Sequence, residues 1–300
     1  MSSALHAFIR ELEQDACWLE PNRLRERGEV LDRLETYLGC GLPQDADASM
    51  TEAGLQQRMV ALRDAFEAAD HRLYQSIRHD IQQGGGARTL LAWVTGLGSD
   101  NVVEPRASGD SYDYLDVLIA GVLQIDEPDA QIAELADEMV FYQPTPARHI
   151  FDMIRRSALD KHDVLVDLGA GLGHVPLLAA ICTGARCIGV EWELAYVDCA
   201  RRCAQALHLT QVTFIRQDAR AADLSTGTVF YLYTPFTGTI LREVLDALRG
   251  EAAKREIRIC TLGPCTSIVA LEPWLEAVGA QEINQPTLFR SIEACAEILP

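Results

Sequence analysis

The chain has no CxxC pair, no visible internal repeat, and no apolar run near the ~18 residues that a membrane-spanning helix needs. It is also short of positive charge. Twenty-six Lys and Arg stand against 44 Asp and Glu, a formal net charge of −18. The first residues, "MSSALHAFIRELEQDACW", lack the basic stretch, apolar core and small-residue cleavage site of a secretory signal, so a cytoplasmic location is expected. The 9 cysteines are scattered. Cys199 and Cys203 share a face of a predicted helix, but no second ligand pair stands nearby in sequence. An odd count argues against a complete disulfide framework. Small buried hydrophobes in a reducing compartment, and no metal site, are the expectation.

The charge deficit is uneven. Residues 1–140 hold 26 acidic and 11 basic side chains, net −15, whereas residues 141–300 hold 18 and 15, net −3. An acidic body repels phosphate backbones, which disfavours nucleic acid as a partner. A basic protein or a cationic molecule is tolerated or attracted, although charge alone also serves solubility.

What is present divides by texture. Up to residue 140 the pattern is helical: Leu5, Phe8, Ile9 and Leu12 fall at helical spacing, and "LRERGEVLDRLETYLG" continues to a stop at Gly39. "LPQDADAS" reads as a polar loop. The long amphipathic segment from Thr51 to Gln83 ends at Gly84–Gly86, either a hinge or a turn between packed helices. Helices are predicted in "ARTLLAWVTGL", near Tyr112, and from Asp129 to Tyr142. From about Val164, apolar runs ("VLVDL", "CIGVE", "VTFIRQD", "TVFYLYT", "IRICTLG") alternate with helical segments. That alternation predicts an α/β fold with a doubly wound, mostly parallel sheet. "QEINQ" and "TLFRSIEAC" bring the strands to seven, as a hairpin at the sheet edge. The expected division is an all-α part over 1–140 and a Rossmann-like part over 141–300.

The strand-to-helix turn "DLGAGLGHV" places Gly169, Gly171 and Gly173 after Asp167. In a doubly wound sheet, this turn lies in the crevice where ligands bind, and glycine lets a ligand approach the backbone. Two ligands compete for it. The dinucleotide fingerprint needs a glycine three residues beyond Gly171, where His174 stands. An acid followed by GxGxG is instead the pattern of S-adenosylmethionine (SAM) binding, with the acid facing the cofactor's ammonium. Glu191 ends the second strand, where a carboxylate can accept ribose hydroxyls, a feature that would also suit NAD. Asp218 ends the third strand, with Ala219 following it.

Over roughly residues 140–300 the sequence resembles class I SAM-dependent methyltransferases. "VLVDLGAGLGHV" with "GVE" is similar to the Dot1-type and related lysine methyltransferases. That resemblance implies SAM as cofactor and a methyl acceptor that is an amine, such as a protein lysine, or a small molecule. It places Asp218 and Ala219 at the adenine. In "FYQPTPARHIFDMI" it places Tyr142, Thr145 and Gln143 around the methionine end of the cofactor. The turn after the fourth strand, Tyr233-Thr234-Pro235-Phe236, matches the family's Asn/Asp-Pro-Pro-aromatic element only in part. Tyr233 and Phe236 are the expected aromatic wall beside the methyl group. His174, directly after the glycine turn and more a helix-start residue than a base, and His149, on a predicted helix, are the histidines that could stand near the pocket, and Tyr112 and Tyr114 are candidates for a lid. A non-catalytic SAM-binding module and an NAD-dependent oxidoreductase remain the alternatives.

Overall fold

The computed structural model describes residues 2–39, 49–95, 112–125, 128 and 138–292. Residues 42–48 of the loop expected over 42–49, and most of the helix expected over 129–142, lie outside the described residues, and Ser49 already belongs to a helix. Its last part, 138–142, is extended rather than helical.

The amphipathic spacing of the first part builds α1 (Ser2–Gln14), α2 (Leu24–Gly39) and α3 (Ser49–Gln82). α1 stops sooner than its apolar spacing suggests. The Asp15 carboxylate accepts from the Cys17 N–H at 2.9 Å and opens a 3-10 turn over Ala16–Leu19. α3 is one continuous helix that serves two cores. Its first half buries Leu55, Met59, Leu62 and Phe66 against Leu5 and Ile9 of α1 and Leu34 of α2. Its second half buries Leu73, Ile77 and Ile81 in a second cluster that reaches into the sheet.

The glycine run is a helix stop. Gly84, at φ 78°, donates to the Ile81 carbonyl, and Gly85 donates to the Asp80 carbonyl at 2.8 Å. α4 (Gly86–Thr95) then turns back, and α5 (Tyr114–Leu123) follows. The Asp113 carboxylate caps α5, and Asp116 answers from its first turn in a capping box.

The remainder is a seven-stranded sheet in the order β3-β2-β1-β4-β5-β7-β6. β1 (Val164–Leu168), β2 (Arg186–Glu191), β3 (Val212–Arg216), β4 (Val229–Tyr233) and β5 (Arg258–Leu262) pair in parallel. β1, β4 and β5 are almost wholly buried, which is why they read as unbroken apolar runs rather than alternating ones. β6 (Leu275–Val278) and β7 (Thr287–Ser291) pair antiparallel, and β7 lies between β5 and β6. The sixth strand is therefore "LEAV" and not "QEINQ", whose residues form a turn. A strand of four residues at a sheet edge carries too weak a pattern to stand out.

α6 (Ala147–Ser157), α7 (His174–Thr183) and α8 (Leu194–Ala206) cover one face of the sheet. α9 (Gly238–Ala252) and α10 (Cys265–Val269) cover the other. α4, α5 and the second half of α3 join the first group in a single cluster that extends from Leu24 to Leu262. Strand order reverses between β1 and β4, and that switch point opens the crevice in which a ligand is expected. Among the described residues, no helix is long and apolar enough to cross a membrane.

Candidate functional site

The turn after β1 is stitched to the end of β2. The N–H groups of Gly169 and Ala170 both donate to the Val190 carbonyl, at 2.9 and 3.0 Å. The Gly171 N–H donates to Glu191 Oε2 at 2.8 Å. Gly171 has φ 52°, and a Cβ there would run into the Tyr142 ring. Gly169 has φ 92°, and a Cβ there would meet Pro235. Behind the turn, Gly173 packs against Phe214. The bare backbone thus serves close packing by three other segments, a reason for glycine additional to ligand approach.

Asp167 stands at the end of β1, 3% exposed, and no hydrogen bond among the described residues lowers the pKa of its carboxyl. Burial, and then the nearby Glu191, push it well above the usual carboxylate range. Glu191 is half-buried. Its carboxylate accepts from the N–H groups of Gly171 and Glu193, each at 2.8 Å, while burial lifts its pKa against those bonds. Two carboxyls are thus held beside the turn with no cation near them among the described residues, an arrangement that favours a cationic or hydroxyl-bearing ligand.

Tyr142 and Thr145 both come to this place from the segment before α6. The Tyr142 hydroxyl lies 3.3 Å from His174 Nδ1, and its ring is 5.0 Å from that of Tyr196. Thr145 is buried, with its hydroxyl 3.2 Å from the Tyr231 hydroxyl of β4. Gln143 is exposed. Burial pushes His174 down to about 4, so it is neutral at physiological pH. His149 is buried on α6. A cavity of about 200 Å³ lies between α5 and this group, lined by Tyr112, Asp116, Tyr142, Thr145, Leu172 and His174 among others. Tyr114 packs against the second cluster, the one that reaches into the sheet, rather than lining that space.

Asp218 does follow β3, but its carboxylate is taken. Arg220 grips it through Nε at 3.1 Å and Nη2 at 2.7 Å, and this holds it below its ordinary range. Ala219 packs toward the core under α9. Tyr233 and Phe236 do not share a wall. Tyr233 is half-buried against the cluster containing α6 and α7, whereas Phe236 is 5% exposed in the cluster under α9. Between them Thr234 adopts φ 40°, with its hydroxyl tied to the Leu262 carbonyl at 3.0 Å and the Cys265 N–H at 3.1 Å. A β-branched residue in that region is strained, and such strain gathers at functional turns.

Three residues escaped the sequence reading. Asp116 accepts from the N–H groups of Asp113 and of Ala147, each at 2.7 Å, and so caps α5 and α6 together. The Asp-x-x-Asp spacing before an apolar run was its readable signal. Trp192 is 49% exposed directly after Glu191. Glu138 caps a helix about a hundred residues away, and no local pattern announces that. Among the described residues, no group of three or more His, Cys, Asp or Glu could hold a metal ion.

Residues 138–219 match the family model described as histone methylation protein DOT1. That segment holds Tyr142, Thr145, the glycine turn, Glu191 and Asp218. No curated protein matches the chain. It is similar to the crystal structure of an RNA methyltransferase from Salinibacter ruber in complex with S-adenosyl-L-homocysteine, at 26% identity, covering 53% of this chain and 97% of that one, TM-score 0.41. A putative methyltransferase from Escherichia coli is similar at 16% identity, covering 53% and 90%, TM-score 0.42. Precorrin-6y C5,15-methyltransferase from Geobacter metallireducens is similar at 18% identity, covering 54% and 94%, TM-score 0.39.

Proposed function

We propose that the protein transfers a methyl group from SAM to an acceptor amine, carried by a protein or by a small molecule. The observation that carries this reading is Asp167, a buried carboxyl at the switch point of the sheet whose pKa burial and Glu191 raise and no cation among the described residues lowers. An ammonium placed there would satisfy the carboxyl and reverse the effect of its burial. A diphosphate would meet two carboxyls and no cation, which argues against a dinucleotide. The match of residues 138–219 to the DOT1 model supports the same reading.

The residues present fit SAM. Glu191 keeps lone pairs for ribose hydroxyls beyond the two N–H groups it accepts. Trp192 offers a ring face to the adenine, and Asp218 and Ala219 stand at its edge. Tyr142 and Thr145 bound the amino-acid end, and Gly169, Gly171 and Gly173 shape the floor. The helical part through residue 140 contributes α5 as a wall and faces the acceptor. When bound, SAM supplies an electrophilic methyl group on a sulfonium.

The chain's own part is orientation and exclusion of water. Holding the nucleophile in line with the methyl group is worth ~7–11 kcal/mol of the barrier. Tyr233 borders the acceptor side, and Phe236 supports the turn from below. Burial leaves His174 weakly basic at neutral pH, which makes it a poor base for an ammonium acceptor.

Incubating the protein with a cell lysate and isotopically labelled SAM tests the assignment. Label is expected in protein or in small amine-bearing metabolites. A thermal shift produced by NAD and not by SAM would overturn it. The second reading, a SAM-binding module without transfer, draws on the absence of Asn or Asp before Pro235 and on the burial of Phe236. Calorimetric binding of SAM with no labelled acceptor would favour that module.

A further inference from the structure

Residues 138–146 run as an extended strap pinned at both ends. At the start, the Thr237 N–H donates to the Glu138 carbonyl at 2.8 Å, and the Val140 N–H donates to the Pro235 carbonyl at 3.2 Å. Met139 and Phe236 form an isolated antiparallel bridge. At the far end, the Tyr112 hydroxyl donates to the Pro144 carbonyl at 2.8 Å, and the Ala147 N–H donates to Asp116. Between these anchors Tyr142 lies over Gly171.

Glu138 adds its side chain to the first anchor. Its Oε2 accepts from the Ile240 N–H at 3.1 Å, and the backbone of Thr239 also donates to the carboxylate. These are first-turn N–H groups of α9, whose N-cap residue Thr237 makes no side-chain cap bond. The α9 cap therefore comes from the strap. Glu138 sits at φ 76°, a region uncommon for a residue with a side chain. Opposite it, Gly238 has φ 54°, and a Cβ there would run into the Glu138 carboxyl. Two adjoining backbones are thus held in a left-handed conformation at one contact, on the turn between β4 and α9.

We propose that Glu138 is a positioning residue that locks the strap to the β4–α9 turn, so that Tyr142 over the cofactor turn and the turn facing the acceptor form one rigid unit. Its consequence for ligand affinity rests on the SAM reading given above. A helix cap lost at the surface costs enough to weaken a ligand that needs the strap in place by about three- to tenfold.

Amide hydrogen exchange on the free protein, paired with calorimetry using S-adenosyl-L-homocysteine, tests this. In Glu138→Ala, exchange should quicken at Val140, Thr237 and Ile240 while the amides of β1, β4 and β5 keep their wild-type rates. Affinity for S-adenosyl-L-homocysteine should fall by about three- to tenfold. Glu138→Gln, which keeps an accepting oxygen at the same reach, should restore most of both, and Glu138→Asp, one methylene shorter, should not. Unchanged exchange at those three amides in Glu138→Ala overturns the proposal, and so does a uniform rise across the whole sheet. If wild type fails to bind S-adenosyl-L-homocysteine, the cofactor reading falls, and the exchange rates alone decide whether Glu138 locks the strap.

Discussion

The two ends of the molecule treat a buried carboxyl in opposite ways. In the helical bundle, Asp70 of α3 meets Arg27 of α2, which is wholly buried. The guanidinium donates to Asp70 through Nε at 2.7 Å and also through Nη2, and its remaining donors reach the carbonyls of Trp18 and Glu20 at 2.8 and 2.7 Å. In the crevice, Asp167 is at least as deeply buried, and no arginine or lysine pairs with it among the described residues. Backbone conformation divides the same way. Between residues 2 and 95, Gly84 alone among the described residues has a positive φ, whereas Glu138, Gly169, Gly171, Gly173 and Thr234 all have one around the crevice. Among the described residues, the bundle pairs its buried carboxyl and keeps an ordinary backbone, while the crevice keeps a carboxyl whose pKa burial raises and several residues at positive φ, the features that the proposed ligand site would use.

That contrast is broken most severely from the bundle side. Arg27→Ala leaves the Asp70 carboxyl buried and alone, because burial already lifts its pKa even with Arg27 in place. Removing one partner of such a pair costs ~3–5 kcal/mol. The loss should appear in urea denaturation, with little change in S-adenosyl-L-homocysteine affinity per folded molecule. A loss under ~1 kcal/mol would mean that the bundle tolerates an orphaned carboxyl as the crevice does.

The next largest effect strikes the crevice and spares the bundle. Gly171→Val asks a β-branched residue to adopt φ 52° and to occupy the space of the Tyr142 ring. We expect at least about a hundredfold weaker S-adenosyl-L-homocysteine binding by calorimetry, ~2.7 kcal/mol, from the strained turn and the displaced ring together. Far-ultraviolet circular dichroism should keep its wild-type helical signal. Affinity within a factor of three of wild type would remove the turn from the binding site.

Asp167→Asn should move stability and binding in opposite directions. Because its pKa is raised in the folded chain, folding takes up a proton at this group, so its contribution to stability falls as pH rises above the unfolded value of ~3.9 toward the folded one. A bound ammonium reverses that shift, so binding releases the proton and affinity rises with pH over the same window. Glu191, also raised, adds in the same direction. The variant should lose ~1.5–3 kcal/mol of S-adenosyl-L-homocysteine binding through the missing charge-assisted bonds. It should also flatten the pH dependence and melt no lower than wild type at pH 7. Calorimetry in buffers of different ionisation enthalpy counts the proton. Equal proton release in wild type and variant would clear Asp167 of the role.

The placement of Asp167, the glycine turn and Glu191 was legible from sequence because its signals are local. Asp167, the glycine turn and Glu191 lie at strand ends marked by apolar runs, and the sheet's alternation with helices fixes which ends share a crevice. What escaped depends on distant partners. The extended course of 138–142 is imposed by the turn at 235–237, and its apolar residues resemble a helix until that pairing is known. Phe236 looks like a substrate wall in "YTPF" and turns inward because α9 packs beneath it. "LEAV" is a strand only because β7 lies beside it.

The finest distinction concerns Asp218, the acid of this crevice that resembles the bundle in having an arginine. In "DAR" the partner is two residues away and solvent-exposed, so the grip is soft, unlike that of Arg27 on Asp70. Exposed pairs contribute little, and each is easily traded for another contact. If the adenine amino group uses Asp218, it must compete with Arg220, and Arg220→Ala should tighten S-adenosyl-L-homocysteine by less than about threefold while Asp218→Asn weakens it by a similar factor. Opposite signs in calorimetry would place Asp218 with Asp167 among the acids kept for a ligand. If both substitutions left affinity unchanged, Asp218 would belong with Asp70, an acid whose partner is already in the chain.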